Sequence, residues 1–135
     1  MPRSSKTVVF TNGVFDLYHP GHVNLLNQAR TYGDVLIVGI PDDRTVSRLK
    51  GQDRPQWPAL HRERLVASHP CVTTTIIYSG AIAPLLRALR PDVLVRGEDQ
   101  RLDGAEYAGR VVRIARTPGI STTQILEKSR ASNTR

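Results

Sequence analysis

Short apolar runs alternate with helix-like segments along this chain of 135 residues. The alternation is typical of βαβ units, in which helices cover a parallel sheet, and it disfavours a β-sandwich or a helix bundle. Strands are predicted at residues 7–10, 35–40, 72–78, 92–95 and 111–115. The sequence therefore predicts an α/β fold in a single domain, built on a Rossmann-like, doubly wound, five-stranded parallel sheet.

Helices are predicted between the strands, and the first is the best marked. Apolar residues recur at helical spacing from Pro20 to about Tyr32, proline is favoured in a first turn, and Gly33 is placed to end the helix. The other helices are expected at residues 44–49, 59–68, 82–89 and about 121–128, and residues 51–58 are expected to form a mobile loop.

No internal repeat or linker indicates a second domain. We expect a flexible N-terminus at residues 1–6, one domain at 7–129 and a flexible tail at 130–135. The apolar run at residues 35–40 is far shorter than the roughly 20 residues that cross a bilayer. The N-terminus also lacks the apolar stretch of a secretory signal. These features predict a cytoplasmic protein without a membrane span.

The formal net charge of +7 admits two classes of partner. Lysines and arginines attract nucleic acid to a surface, or they gather small polyphosphates in a cleft. Aromatic residues make up only 5% of the chain, and it has no basic run, zinc knuckle or RNA-binding signature. We therefore expect no nucleic-acid partner. Exposed surface side chains and the tail at residues 130–135 can account for part of the positive charge.

Residues 11–22 carry the most informative motif, because they run from a predicted strand end into a predicted helix start. His19 and His22 can present donors to one anion there, helped by free backbone N–H groups and the helix dipole. Alternatively, one histidine caps the helix and the other packs on a neighbour. The pair also has a spacing seen in metal sites, but no cysteine or third histidine lies nearby, so no protein ligand to a metal is predicted.

Two common nucleotide-binding motifs are absent. The chain has neither the Gly-x-Gly-x-x-Gly of dinucleotide-binding proteins nor a P-loop. Dehydrogenase and kinase functions therefore lose their main support.

Residues 19–22 resemble the His-x-Gly-His signature of the cytidylyltransferase-like nucleotidyltransferases, and the similarity extends from Val8 to about Lys128. The resemblance implies an enzyme that joins a nucleoside monophosphate, taken from a nucleoside triphosphate, to a phosphate-bearing small molecule with release of pyrophosphate. It further implies that His19 and His22 contact the triphosphate, that Asp16 organises the site, and that the protein forms a homodimer. Mg²⁺ is expected on the triphosphate oxygens.

Within the family, the chain is most similar to the adenylyltransferase domains of ADP-heptose synthases. The similarity lies in residues 10–13, 49–51, 54–55, 58, 62, 91–99 and 108–109. It implies ATP and a heptose 1-phosphate as substrates. Residues 116–123 instead resemble a signature of glycerol-3-phosphate and choline- or ethanolamine-phosphate cytidylyltransferases, which implies CTP and a polyol phosphate. A non-catalytic nucleotide-binding module is a third alternative.

Two positions depart from the pattern of the heptose enzymes. Arg96 and Glu98 stand where those enzymes usually have lysine and glycine. Both changes bear on the choice of acceptor.

The resemblance assigns roles to individual side chains. Lys50 is expected to reach the α-phosphate as a point charge, and Arg62 to bind two phosphate oxygens through its planar fork. The predicted catalytic residues are His19, His22, Lys50 and Arg62. The predicted nucleotide-binding residues are Thr11, Asn12, Gly13, Val14, Phe15, Asp16, Gly21, Arg96, Gly97, Asp99, Arg116, Gly119, Ile120, Ser121, Thr122 and Thr123.

Overall fold

The computed structural model describes residues 5–98, 100–101 and 103–115. Its strands are β1 (Val8–Asn12), β2 (Val35–Pro41), β3 (Thr74–Tyr78), β4 (Val93–Gly97) and β5 (Arg110–Ile114), and its helices are α1 (Pro20–Arg30), α2 (Asp43–Lys50), α3 (Ala59–Ala67) and α4 (Ala83–Leu89). A short 3-10 helix, Ala105–Tyr107, was not predicted. The helix expected from residue 121 lies outside the described residues.

All five strands are parallel and lie in the order β3-β2-β1-β4-β5, which confirms the Rossmann-like α/β fold. The chain winds outward from β1 to β3 and then returns to place β4 on the other side of β1. Sheets of this kind bind ligands at the carboxyl ends of the strands where the winding reverses. Here that point lies between Asn12, which ends β1, and Gly97, which ends β4.

The first strand is longer than predicted. It extends through Thr11 and Asn12 because these residues pair with Val38 and Gly39 of β2. Asn12 was expected to open a loop, and its place in the sheet instead fixes its side chain at the carboxyl edge.

The core is divided between the two faces of the sheet. Val9 packs in a cluster with Leu26 of α1 and Val66 of α3, whereas the next residue, Phe10, packs with Leu86 of α4. Successive side chains of a strand point to opposite faces, so α1 and α3 cover one face and α4 covers the other. Cover on both faces explains why the central strands read as continuous apolar runs.

Among the helices of the described residues, none has the length and hydropathy to cross a membrane.

Candidate active site

A cavity of about 650 Å³ opens at the carboxyl edge of the sheet, beside the reversal point between β1 and β4. Most of the predicted site residues with described positions line it: Asn12, Gly13, Val14, Phe15, Asp16, His19, Gly21, His22, Lys50, Arg96 and Gly97. Thr11 and Arg62 do not. The predicted residues Asp99, Arg116, Gly119, Ile120, Ser121, Thr122 and Thr123 lie outside the described residues.

His19 and His22 are joined at the entrance of α1. His19 is the N-cap residue, and its Nδ1 accepts a hydrogen bond of 3.0 Å from the N–H of Gly21. In turn, the N–H of His19 donates to Nδ1 of His22 at 3.2 Å. The two rings stack with their centroids 3.9 Å apart. The histidines therefore form a reciprocal cap of the helix as well as a pair that lines the cavity.

This capping differs from the expected supply of free backbone donors. The N–H groups of His22 and Val23 both donate to the carbonyl of His19, and that of Gly21 donates to its ring. Gly13, predicted to bind the nucleotide, donates its N–H to the carbonyl of Gly39 at 3.2 Å. An anion at this helix entrance would therefore depend on side-chain donors more than on these amides.

The capping bonds also fix where each imidazole carries its proton. A backbone N–H can only donate, so both Nδ1 atoms act as acceptors, and each neutral ring holds its proton on Nε2. Burial, followed by the positive charge that His19 would carry, lowers the pKa of His22 from 6.5 to about 3, although Asp16 opposes this shift. Burial also lowers the pKa of His19. Near neutral pH both residues are thus neutral donors through Nε2–H.

The loop that carries these residues is held in an unfavourable backbone conformation. Phe15 and Leu17 adopt φ values of 55° and 52°, in the left-handed region that side-chain-bearing residues avoid at a cost of roughly 1–2 kcal/mol each. Phe15 is buried and meets the ring of His22 edge-on, with centroids 5.2 Å apart. Packing of Phe15 beneath His22 thus compensates for a turn that orients the histidine.

Asp16 connects this loop to residues 51–58. Its Oδ2 accepts from the N–H of Gln56 at 2.7 Å and from Nε of Arg54 at 3.4 Å, and its Oδ1 accepts from the N–H of Trp57 at 2.9 Å. Its side chain is almost fully buried, with 2% exposed. The carboxylate fastens the segment after Lys50 against the loop that leads to the histidines.

Arg62 lies in a different place from the one expected of a phosphate ligand. It is completely buried in α3, where its guanidinium donates to the carbonyls of Trp57 and Val14 at 2.8 and 3.0 Å and to Oδ1 of Asp43 at 2.8 Å. The guanidinium nitrogens of Arg62 are thus directed at the protein. They join the loop after β1 and residues 51–58 to α2. Thr11 likewise serves the fold, because its buried hydroxyl donates to the carbonyl of Val95 at 2.7 Å.

The cavity carries more positive charge than the sequence indicated. Among the described residues, five cationic side chains line it: Arg48, Lys50, Arg54, Arg96 and Arg101. The carboxylates that line it are Asp16, Glu98 and Asp103. Arg48 stands two residues before Lys50, a helical separation at which side chains do not share a face, so its place at the cavity had no sequence signal. Tyr78 and Gln100 reach the cavity from the ends of β3 and β4 and likewise had no local signal. The excess of cations suits a polyphosphate.

The described residues contain no cluster of three or more histidine, cysteine or acidic side chains that could hold a metal ion. Both oxygens of Asp16 are already occupied by the loop. Mg²⁺ commonly binds through ligand phosphates and water with few protein ligands. The residues present therefore fit a Mg²⁺ ion held chiefly by a bound triphosphate.

Residues 10–128 match the family model described as Cytidylyltransferase-like. The chain is 42% identical over 131 residues to the bifunctional protein HldE of Geobacter sulfurreducens, covering 91% of this chain and 27% of that protein. It is 43% identical over 136 residues to the same protein of Geotalea uraniireducens, covering 95% and 28%. The chain thus spans about a quarter of the length of these relatives.

Among solved structures, the lipopolysaccharide core biosynthesis protein of Thermoplasma volcanium aligns with a TM-score of 0.73 and 28% identity. The alignment covers 84% of this chain and 99% of that one.

Proposed function

Because the chain belongs to the cytidylyltransferase-like family and is a nucleotidyltransferase, we propose that it transfers adenylate from ATP to a sugar 1-phosphate, of the heptose 1-phosphate type, with release of pyrophosphate. One observation carries the proposal. Two neutral histidines, each with its proton on Nε2, stand at a helix entrance and line a cavity rich in cations.

The chemistry is a direct in-line displacement. An oxygen of the acceptor phosphate forms a bond to the α-phosphorus of ATP, while the bond from that phosphorus to the bridging oxygen breaks and pyrophosphate leaves with the electron pair. An ionised phosphate needs no base to become a nucleophile, so catalysis depends on positioning and on stabilising charge.

His19 and His22 supply hydrogen bonds to the phosphate oxygens through Nε2–H. A neutral donor keeps its proton throughout the displacement, and donors fixed in advance require no reorganisation as charge develops. The capping bonds hold the rings in this orientation before a substrate arrives.

Lys50 ends α2 at the rim of the same cavity. Its ammonium is a compact charge suited to an oxygen on the α-phosphate whose charge grows in the transition state. The Asp16 contacts fasten the segment that follows Lys50, and thereby limit where the lysine can move.

The proposal has three further parts. They are a Mg²⁺ ion, which when bound would neutralise charge on the triphosphate, a homodimeric assembly, which the family resemblance implies, and a cytoplasmic location.

The choice of ATP and a sugar phosphate has three supports. Residues 49–55 and 91–99 resemble the adenylyltransferase domains of ADP-heptose synthases, and the relatives with about 40% identity are bifunctional HldE proteins. The solved structure at 28% identity is that of a lipopolysaccharide core biosynthesis protein.

The proposal is tested by measuring pyrophosphate release from a grid of ATP and CTP against heptose 1-phosphate, glycerol 3-phosphate and choline phosphate. We expect the highest kcat/KM for ATP with heptose 1-phosphate. A preference for CTP with glycerol 3-phosphate would replace this assignment with the cytidylyltransferase alternative. Absence of release with every pair would favour a non-catalytic nucleotide-binding module.

A further inference from the structure

Three side chains form a line across the carboxyl edge of the sheet, which we call the polar row: Tyr78 of β3, Asn12 of β1 and Arg96 of β4. Nδ2 of Asn12 donates to Oη of Tyr78 at 3.1 Å, across the intervening strand β2. Arg96 follows Leu94 by two residues in β4 and therefore points to the same face of the sheet. That face is covered by α4, whereas the histidines approach from α1 on the other face.

A glycine occupies the strand between Asn12 and Tyr78. Gly39 of β2 is the register partner of Asn12. A Cβ atom at position 39 would lie 2.7 Å from Cζ of Phe10 and 3.4 Å from Cβ of Asn12. The missing side chain leaves room for the ring of Phe10, which lies on the same face of the sheet as Asn12.

Two atoms of the polar row are buried without a hydrogen-bond partner among the described residues: Oδ1 of Asn12 and Nε of Arg96. Their residues are only 8% and 3% exposed. The terminal nitrogens of Arg96 donate to the carbonyls of Arg101 and Asp103, so its side chain is held in place while Nε stays unpaired. Oη of Tyr78 accepts from Asn12, which directs the phenol proton elsewhere.

Unpaired buried polar atoms are costly and rare in folded proteins, and each calls for a partner. All three members of the polar row line the cavity. Together they offer one acceptor, on Asn12, and two donors, on Tyr78 and Arg96. An ionised phosphate only accepts hydrogen bonds and would leave Asn12 unsatisfied, whereas a hydroxyl group both donates and accepts.

Building on the function proposed above, we propose that the polar row is a subsite for neighbouring hydroxyl groups of a sugar ring, and that Tyr78 determines specificity for them. The acceptor sugar is the occupant favoured by the geometry, because the polar row lies on the opposite face of the sheet from the histidines. An acceptor spanning the edge places its phosphate toward His19 and His22 and its hydroxyls on the polar row. The ribose of the nucleotide is the other source of the same chemistry.

The test uses Tyr78→Phe, which removes one hydroxyl and keeps the ring. Dissociation constants are measured by calorimetry for heptose 1-phosphate, methyl phosphate, ATP and 2′,3′-dideoxy-ATP. We expect Tyr78→Phe to raise the dissociation constant of heptose 1-phosphate about tenfold, which is the effect of losing one hydrogen bond. The dissociation constant of methyl phosphate should stay unchanged. Tyr107→Phe is the matched control, because Tyr107 packs beside α4 and does not line the cavity.

If Tyr78→Phe weakens the binding of ATP but not that of 2′,3′-dideoxy-ATP or of heptose 1-phosphate, the polar row is still a hydroxyl subsite, but its occupant is the ribose. Unchanged affinity for both heptose 1-phosphate and ATP would overturn the inference. Since binding is measured without turnover, these outcomes are separate from the pyrophosphate release that tests the proposed reaction.

Discussion

The N–H of His19 donates to Nδ1 of His22 across 3.2 Å, while the rings of the two residues stack 3.9 Å apart. One contact therefore joins the capping of α1 to the orientation of the imidazole groups. Structural and functional roles of these histidines can be separated experimentally, because the two ring nitrogens serve different purposes.

We predict that His22→Asn folds normally and loses turnover. The Asn amide oxygen can replace Nδ1 as the acceptor for His19, but nothing then occupies the position of Nε2–H. Loss of one transition-state donor lowers kcat by about 10²–10³. In the matched variant His22→Gln, the longer side chain places an amide donor near the Nε2 position, so steady-state kinetics should show at least partial recovery. Equal activity of the asparagine variant and the wild type would contradict the proposed role.

The burial of neutral His22 predicts that acid destabilises the fold. The unfolded residue binds a proton below its usual pKa of 6.5, whereas the folded residue does so only near a pKa of about 3. Between these values the unfolded state holds the extra proton, so stability falls as the pH falls through this window. The slope from this group is at most roughly 1.4 kcal/mol per pH unit.

Urea denaturation at pH 7, 5.5 and 4.5 measures this slope. The asparagine variant of His22 provides the control, because it has no group titrating in this range at that position. A slope in the variant as steep as in the wild type would show that other groups cause the acid sensitivity.

Asp16→Asn is predicted to loosen residues 51–58. Each carboxylate oxygen accepts a separate backbone N–H, and an asparagine would turn its NH₂ group toward one of these donors. We expect hydrogen exchange at the amides of Gln56 and Trp57 to quicken by about tenfold or more, corresponding to roughly 1.4 kcal/mol or more of lost local stability. Asp53→Asn removes the same negative charge at an exposed position within residues 51–58, and it should leave these exchange rates unchanged. If these amides exchange as slowly in Asp16→Asn as in the wild type, Asp16 does not hold residues 51–58 in place.

Arg62→Met is predicted to destabilise the whole domain. It removes the donors to the carbonyls of Trp57 and Val14 and leaves both without their partner. We expect the free energy of unfolding to fall by about 3 kcal/mol or more. Arg64→Met, on the exposed side of the same helix, should change it by less than about 0.5 kcal/mol in the same denaturation experiment. Unchanged stability together with weaker ATP binding would instead return Arg62 to the phosphate-binding role expected from the sequence.

Much of the fold was predictable because its signals are local. The capped start of α1 at Pro20 and the apolar run of β2 each depend on residues that are close in sequence. The end of β1 was missed because Asn12 has a strong turn tendency, and only its pairing with Gly39 holds it in the sheet.

The sequence places Asp16, His19 and His22 together because one loop and the helix start that follows it carry all three, and their roles in binding and catalysis stay predictions. The burial of Arg62 could not be predicted, because the sequence does not reveal that its three acceptors belong to three different segments. Of the polar row, Asn12 and Arg96 were predicted as site residues, but Tyr78 and the contact that joins it to Asn12 had no sequence signal. Asn12 and Tyr78 are 66 positions apart, and their contact exists only because the strand order places β2 between them.

Gly39 has a consequence for how this chain can change over evolutionary time. A Cβ atom at this position would lie 2.7 Å from the ring of Phe10, so a substitution there would be tolerated only if the side chain at position 10 became smaller as well. Positions 10 and 39 should therefore covary among related chains.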